Sequence, residues 1–338
     1  MSTRAREDET WDEAVAGARR LDETTMEPVA RAAGAFLTGV DRVMVGKTDV
    51  AELVLVALLS EGHVLLEDVP GMGKTMLAKA ASVSLGCKFQ RIQCTPDLLP
   101  SDVTGVQFYD QRTGIFTFRP GPLMSNVVLV DEINRATPRT QSALLEAMQE
   151  RQVTVDVETV PLPRPFMLLA TQNPVELEGT FPLPEAQLDR FLLRLRMGYP
   201  TSEQEGGILS RFQEEDPLSG VSSVADAGEL IVLQDVCRRV YVAPPVRDYI
   251  VALVRGTRDD VDVKLGASPR ASLGLQRAAQ ALAAVRGRAY VLPDDVKYVA
   301  VAVLAHRLIV KTEARLRGRT AEAMVQELLG SVPVPVEE

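Results

Sequence analysis

A glycine-rich segment near residue 70 has the composition of a loop that binds phosphate groups. Its residues are Pro70, Gly71, Met72, Gly73, Lys74 and Thr75. It follows a short apolar run and opens a helical pattern, so its main-chain N–H groups and the helix N-terminus can face phosphate oxygens. This predicts that Lys74 contacts the β- and γ-phosphates and that Thr75 holds Mg²⁺. The usual pattern begins with glycine where this chain has Asp68, and we expect binding to survive that departure.

Two adjacent carboxylates, Asp131 and Glu132, end a continuous apolar run at residues 126–130. Ligands of parallel sheets bind at the carboxyl ends of strands, so this pair is predicted to face the phosphate loop. Asp131 would then orient Mg²⁺ through its water shell, and Glu132 would polarise the attacking water as general base. A solvated turn can carry the same two acids, but the phosphate loop upstream favours hydrolysis of a nucleoside triphosphate.

The pattern around these motifs predicts strands that alternate with helices up to about residue 200. Apolar runs typical of buried strands occur at residues 63–66, 89–93, 126–130, 166–170 and 191–196. Helical patterns cover residues 50–60, before the first of these runs, and residues 74–85 and 138–149 between later runs. This alternation predicts an α/β domain with a parallel sheet flanked by helices. Only helical patterns follow at residues 229–329, which predicts a small all-α domain.

Two further segments predict β-hairpins. Residues 106–119 carry aromatic side chains at alternate positions around a turn, and residues 152–160 alternate valine with polar residues. The aromatic side chains of the first hairpin are Phe108, Tyr109, Phe116 and Phe118. They either form the hairpin's own small core or present a surface to a partner, and the sequence leaves both interpretations open.

Composition limits the class of protein further. The chain has 338 residues, a formal net charge of −9 and only two histidines. The acidic balance argues against nonspecific binding to nucleic acid or anionic membranes. Three cysteines without a Cys-x-x-Cys pair are typical of reduced thiols, and they predict no zinc site. No stretch reaches about 18 uninterrupted apolar residues and no signal-peptide core is present, so we expect a soluble, cytoplasmic protein without membrane insertion.

Five segments, in this order, resemble the MoxR branch of the AAA+ ATPases. They are residues 67–75, 131–136, 170–174, 185–191 and 266–271. The resemblance covers about residues 30–335 and implies an AAA+ nucleotide-binding domain at 26–200 followed by an all-helical lid domain at 201–338. Residues 1–25 are polar and lie outside the resemblance, which predicts a flexible N-terminal extension or a loosely attached helix.

The resemblance also implies roles for single residues. Asn173 matches the sensor-1 residue, which would hold the attacking water in line. Arg190 matches the arginine finger that would enter a neighbouring subunit's site, although the nearby Arg194 and Arg196 leave the choice of arginine open. Arg270 matches the sensor-2 residue of the lid, which would couple the state of the nucleotide to lid closure.

Base recognition rests on weaker signals. Val45 and Gly46 match the segment that lines the adenine pocket in this family. Guanine-specific enzymes often read the base with Asn-Lys-x-Asp, and the nearest match, residues 46–49, lacks the asparagine. The expected substrate is therefore ATP, with Mg²⁺ as the metal cofactor.

By resemblance, the chain is expected to form a homo-oligomeric ring, a hexamer, because its site is completed in trans. The family's output is chaperone-like: it remodels or matures client proteins, often by metal insertion, and commonly works with a partner that carries a von Willebrand A domain. The alternatives are the ATPase motor of a metal chelatase-like complex, a nucleic-acid-remodelling motor and a nucleotide-gated scaffold. The net charge of −9 weighs against the nucleic-acid motor, and the presence of both Glu132 and Arg190 weighs against the scaffold.

Overall fold

The computed structural model describes residues 23–112, 114–156, 158–174, 179–214 and 217–335. The chain divides into two compact units, one spanning residues 32–232 and the other combining residues 233–335 with residues 23–31. Of the predicted N-terminal extension, only residues 23–25 fall within the described part, where they begin the first helix. The domain limits at residues 26–200 and 201–338 remain predictions.

The first unit contains a parallel α/β sheet and two hairpins. Its strands are β1 (Val64–Glu67), β2 (Phe89–Gln93), β3 (Gly105–Asp110), β4 (Ile115–Pro120), β5 (Val127–Asp131), β6 (Gln152–Val155), β7 (Glu158–Pro161), β8 (Met167–Gln172) and β9 (Leu193–Leu195). Its helices are α1 (Glu23–Asp41), α2 (Thr48–Leu59), α3 (Lys74–Ser84), α4 (Pro100–Thr104), α5 (Pro138–Glu150), α6 (Glu185–Leu188), α7 (Ser202–Glu214) and α8 (Ala227–Arg238). Helices α1 and α8 continue across the divisions between the two units.

Five strands form one parallel sheet in the order β2-β5-β8-β1-β9. Strands β5 and β8 are buried except at their last residues, as predicted for strands covered on both faces. The register places Gln93 beside Asp131 and Glu67 beside Gln172, so the carboxyl ends of four strands meet at one edge. The predicted parallel sheet is confirmed, and the strand limits differ from the apolar runs by at most two residues.

An apolar core on one face of the sheet fixes α5 against the strands. Its fully buried side chains include Val128, Val130, Leu168, Ala170, Leu144 and Leu145. Burial of each large apolar side chain contributes about 1.5–3 kcal/mol. Helix α5 begins at Pro138, where the predicted helical pattern begins; Thr137 is its N-cap, and the Thr137 side chain accepts a hydrogen bond from the Thr140 N–H.

The second unit is helical, as predicted. Its elements after α8 are α9 (Pro244–Asp259), β10 (Val263–Leu265), α10 (Pro269–Val285), α11 (Pro293–Leu304), β11 (Ile309–Val310), α12 (Thr312–Leu316) and α13 (Ala321–Ser331). The antiparallel pair β10–β11 was not predicted, because runs of two or three residues are too short to show alternation. None of the helices in the described ranges is long and apolar enough to cross a membrane.

A buried ion pair stabilises the second unit. Asp295, on α11, is 1% exposed and accepts two hydrogen bonds of 2.6 Å from the Arg288 guanidinium. These bonds raise the pKa of Arg288. We expect Asp295→Asn to lower the free energy of unfolding by about 3 kcal/mol, because the largely buried guanidinium would lose its counter-charge. Urea-induced unfolding of the full chain, followed by circular dichroism, measures this change.

The neighbouring Asp294 provides the matched control. Its side chain is 82% exposed and its ion pair with Lys297 spans 3.3 Å on the surface. Asp294→Asn should therefore change the free energy of unfolding by less than about 1 kcal/mol. Equal losses in the two variants would contradict the role assigned to the buried pair.

Candidate active site

The predicted phosphate loop connects strand β1, which lies between β8 and β9 in the sheet, to the N-terminus of α3. Gly71 and Gly73 both have φ of 83°, in the left-handed region that favours glycine. Gly73 is also the N-cap of α3, and a Cβ atom there would lie 3.2 Å from Met44 Cε. The loop therefore needs glycine at both positions to keep this conformation.

A polar cavity of about 480 Å³ lies over this loop and the ends of β2, β5 and β8. Most of the predicted site residues line it together: Pro70, Gly71, Met72, Gly73, Lys74, Thr75, Asp131, Glu132 and Asn173. Further residues of its wall are Met76, Lys79, Arg91 and Gln93. Three cationic side chains and two carboxylates thus share one cavity, a charge pattern suited to phosphates accompanied by a metal ion.

Lys74 is held at the wall of the cavity by its own loop. Its Nζ donates a 2.6 Å hydrogen bond to the main-chain oxygen of Asp68. Burial lowers the pKa of Lys74, and the negative charges of Asp131, Asp68 and Glu132 oppose that shift. Lys74 thus lies among acidic groups that favour its charged form, the form that binds phosphate oxygens.

Asp131 is oriented by two neighbouring strands. The Thr171 hydroxyl, on β8, donates to Asp131 Oδ1 at 2.6 Å, and Arg91, on β2, donates to Oδ2 at 2.6 Å. Among the described residues, no group of three or more His, Cys, Asp or Glu side chains could hold a metal ion by itself. Thr75 and Asp131 supply the oxygen donors that Mg²⁺ prefers, and Mg²⁺ usually completes its shell with water and phosphate oxygens. The cavity therefore fits Mg²⁺ that arrives with a nucleotide.

Glu132 is held in an uncommon main-chain conformation. Its φ of 56° is unusual for a residue with a side chain, and its N–H donates to the Thr171 hydroxyl at 2.8 Å. Gln93 Nε2 donates to Glu132 Oε2 at 3.1 Å, and Arg135 lies 3.3 Å from the same oxygen. The surrounding residues therefore fix both the main chain and the carboxylate of Glu132 at the cavity.

A second, mostly apolar cavity of about 290 Å³ adjoins the first and shares residues 71–73 and Met76 with it. Its other lining residues are Val43, Met44, Val45, Lys47, Gly198, Pro200 and Ile208. Val45 thus lines an apolar cavity beside the phosphate loop. Gly46 is not part of this wall; a Cβ atom there would lie 2.0 Å from the Gln204 side-chain nitrogen, so the main chain approaches α7 closely.

Within the first unit, the candidate finger arginines do not line either cavity. Arg190 follows α6 and is half-buried, and no side-chain hydrogen bond or ion pair joins it to another described residue. Arg196 and Arg194, the alternatives for the finger, pair with Glu67 at 2.5 Å and 3.8 Å. Arg270 is exposed in the first turn of α10, in the second unit.

Sequence reasoning missed four polar residues that contact the acidic pair: Arg91, Gln93, Thr171 and Arg135. The rule that placed Asp131 at the site also applies to Gln93, because β2 ends beside β5. The polar residues at the ends of β2 and β8 could therefore have been predicted from the sequence as site residues. Which carboxylate each of them contacts could be seen only from the order of the strands in the sheet.

A phosphate loop after β1, an acidic pair at the end of β5 and a polar residue after β8 define a P-loop nucleoside triphosphatase. The model of the ATPase family associated with various cellular activities (AAA) matches residues 63–193, and that of the AAA lid domain matches residues 255–328.

Relatives of known sequence refine this class. The chain is 53% identical over 304 residues to the uncharacterized protein YeaC of Bacillus subtilis, covering 90% of this chain and 95% of the relative. It is 44% identical over 305 residues to Chaperone MoxR1 of Mycobacterium tuberculosis, covering 88% and 80%. A crystal structure of a candidate ATPase from Cytophaga hutchinsonii matches with a TM-score of 0.87 and 36% identity, covering 93% and 98%. The chain belongs to the MoxR branch of the AAA+ ATPases and is an ATP-hydrolysing enzyme.

Proposed function

We propose that this ATPase works as a hexameric ring whose Mg²⁺-dependent ATP hydrolysis remodels or matures client proteins, including by insertion of a metal cofactor. A partner with a von Willebrand A domain would present the client. The structural observation that supports action on client proteins is an exposed apolar surface on the first hairpin. The similarity to a relative named as a chaperone supports the same function.

The residues of the polar cavity would divide the hydrolysis among them. The main-chain N–H groups of the loop and Lys74 would bind the phosphates. Thr75 and Asp131 would hold Mg²⁺, which would neutralise negative charge on the phosphates. Glu132 would accept the proton of the attacking water, and Asn173, just after β8, would hold that water in line.

Completion of the site in trans is supported by the arrangement of the arginines. Arg194 and Arg196 are already paired with Glu67 within the chain, whereas Arg190 makes no ion pair with a described residue. Arg190 is therefore the arginine most available to a neighbouring copy. The role of Arg270 as sensor 2 remains a prediction from the family resemblance.

The apolar tip, defined as Phe108, Tyr109, Ile115 and Phe116, is the surface proposed to contact clients. These side chains are 47–67% exposed. Tyr109 and Phe116 pair across the strands with ring centroids 5.0 Å apart, yet Phe108 and Ile115 project from the other face of the hairpin. Of the four aromatic side chains of this hairpin, Phe118 is the one that packs against the core of the unit. The hairpin therefore exposes apolar side chains on both faces, and such clusters are typical of interaction sites.

We expect the double variant Phe108→Ser/Phe116→Ser to bind a non-native client at least tenfold more weakly than the wild type. Each exposed aromatic anchor contributes about 1–2 kcal/mol to such contacts. Nucleotide affinity should stay unchanged, because the apolar tip does not line either nucleotide cavity. Fluorescence anisotropy with labelled, reduced and carboxymethylated α-lactalbumin measures the client affinity.

Leu209→Ser is the matched control. Leu209 lies on α7 of the same unit and is 75% exposed, so its replacement removes a similar exposed apolar group elsewhere. It should leave client affinity within about twofold of the wild type. If both variants lose affinity equally, or neither does, the apolar tip is not the client surface.

A further inference from the structure

The phosphate loop begins with an aspartate, Asp68, at the position where the usual pattern has glycine. Its carboxylate accepts hydrogen bonds from the main-chain N–H groups of Met197, at 2.5 Å, and Gly198, at 3.3 Å. Its own main-chain oxygen accepts the 2.6 Å hydrogen bond from Lys74 Nζ. One residue thus contacts both the segment that follows β9 and the cation of the phosphate loop.

Residues 197 and 198 are held from a second direction by Lys47. Its Nζ donates to the main-chain oxygens of Met197, at 2.6 Å, and Gly198, at 3.1 Å. Asp68 therefore binds the N–H groups of these two residues, while Lys47 binds their carbonyl groups. Because a charged acceptor and a charged donor are involved, these bonds are stronger than neutral ones.

The segment held in this way forms part of the apolar cavity. Gly198 and Lys47 line that cavity, and the phosphate-loop residues 71–73 line both cavities. Met197 is 5% exposed, and its terminal methyl group lies 4.0 Å from the place of a Cβ atom on Gly73. The wall of the apolar cavity and the position of Lys74 therefore depend on the same residue, Asp68.

We propose that Asp68 is a positioning residue that couples binding of the nucleotide base to binding of the phosphates. Its carboxylate fixes the position of residues 197 and 198 at the wall of the base cavity, and its main-chain oxygen fixes the position of Lys74 Nζ. Binding of the base would therefore favour the position of the loop that binds the phosphates. A glycine at this position supplies the main-chain oxygen but not the carboxylate. The proposal rests on the assignment of the two cavities to the base and the phosphates of ATP.

The test compares a ligand that has a base with one that lacks it. Affinities for ATP and for inorganic tripolyphosphate, each with Mg²⁺, are measured by calorimetry on the full-length wild type and on Asp68→Gly. We expect Asp68→Gly to weaken ATP binding about tenfold, the equivalent of one or two lost hydrogen bonds, and to leave tripolyphosphate binding within about twofold. The ratio of the two affinities is a readout that a general loss of stability does not produce.

Further variants keep the test decisive if Asp68→Gly folds poorly. Asp68→Asn is nearly isosteric and retains one acceptor oxygen, so its loss of ATP affinity should be intermediate. Lys47→Met removes the opposite set of hydrogen bonds and should lower the same ratio. Asp156→Gly is the matched control: Asp156 is exposed in the second hairpin and has φ of 55°, which glycine adopts readily, so the ratio should not change.

The possible outcomes separate this proposal from the assignment on which it rests. A wild type that binds ATP no more tightly than tripolyphosphate would overturn the base cavity itself. If the wild type prefers ATP, but Asp68→Gly weakens both ligands by the same factor or changes neither, only the coupling role of Asp68 fails. A selective loss of ATP affinity in the Asp68 and Lys47 variants supports the proposal.

Discussion

Glu132→Gln should reduce steady-state ATP turnover by at least about 10²-fold while ATP remains bound. The amide cannot accept the proton of the attacking water, and a positioned general base contributes about 10²–10⁴ in rate. The phosphate-binding residues are unchanged, so the affinity for ATP should stay close to that of the wild type. Phosphate release measures turnover, and equilibrium binding of a fluorescent ATP analogue measures retention.

Replacement of Glu132 by glutamine should leave most contacts of this residue unchanged. Glutamine has nearly the same shape, and its side-chain oxygen can still accept the hydrogen bond from Gln93, which spans 3.1 Å in the native site. The Thr171 contact goes to the main-chain N–H of residue 132, so it survives the substitution. The loss should therefore be chemical rather than structural.

The matched control for this experiment is Glu146→Gln. Glu146 lies on α5 and is exposed, away from the polar cavity. Its replacement removes the same charge and should leave turnover unchanged. Glu132→Gln protein that hydrolyses ATP at the wild-type rate would remove Glu132 from the role of general base.

The Arg190→Ala variant should still form the ring, yet its rate of ATP turnover should fall by a factor of about 10³–10⁵. This is the range observed when an arginine finger is missing from phosphoryl transfer. Wild-type specific activity should rise with protein concentration as the ring assembles, because each site would need an arginine from its neighbour. Turnover is measured against concentration, with molecular mass determined in the same samples.

A mixing experiment shows directly whether the arginine acts in trans. Arg190→Ala and Glu132→Gln subunits are each expected to be inactive alone. In a mixed ring, an Arg190→Ala subunit keeps its own Glu132 and can receive Arg190 from a Glu132→Gln neighbour. Activity should therefore return in mixtures, which a finger acting within its own subunit would not produce.

Arg196→Ala is the control for loss of a nearby cationic side chain. Arg196 is 57% exposed and paired with Glu67 in the same chain, so we expect a much smaller loss of turnover. If wild-type activity does not depend on concentration and Arg190→Ala is as active as the wild type, the site is complete within one subunit. The proposed ring mechanism would then be wrong.

The sequence was sufficient for those parts of the site that are local in the chain. In two places, residues 70–75 and the pair Asp131–Glu132, the functional side chains directly follow a short apolar strand. One short stretch of sequence therefore indicates both the strand and the chemistry at its end. Two helices begin with an equally local feature: the side chains of Thr137 and Thr201 accept hydrogen bonds from residues three positions later. The parallel sheet followed from the alternation of strands and helices.

The tertiary structure alone decided which distant residues complete the site. Arg91, Gln93 and Thr171 contact the acidic pair because β2 and β8 flank β5, an order that no local pattern specifies. The partners of Asp68 lie some 130 positions further along the chain, and only the pairing of β1 with β9 brings them together. Spacing along the chain thus determined the class of chemistry, and the order and register of the strands determined which side chains support it.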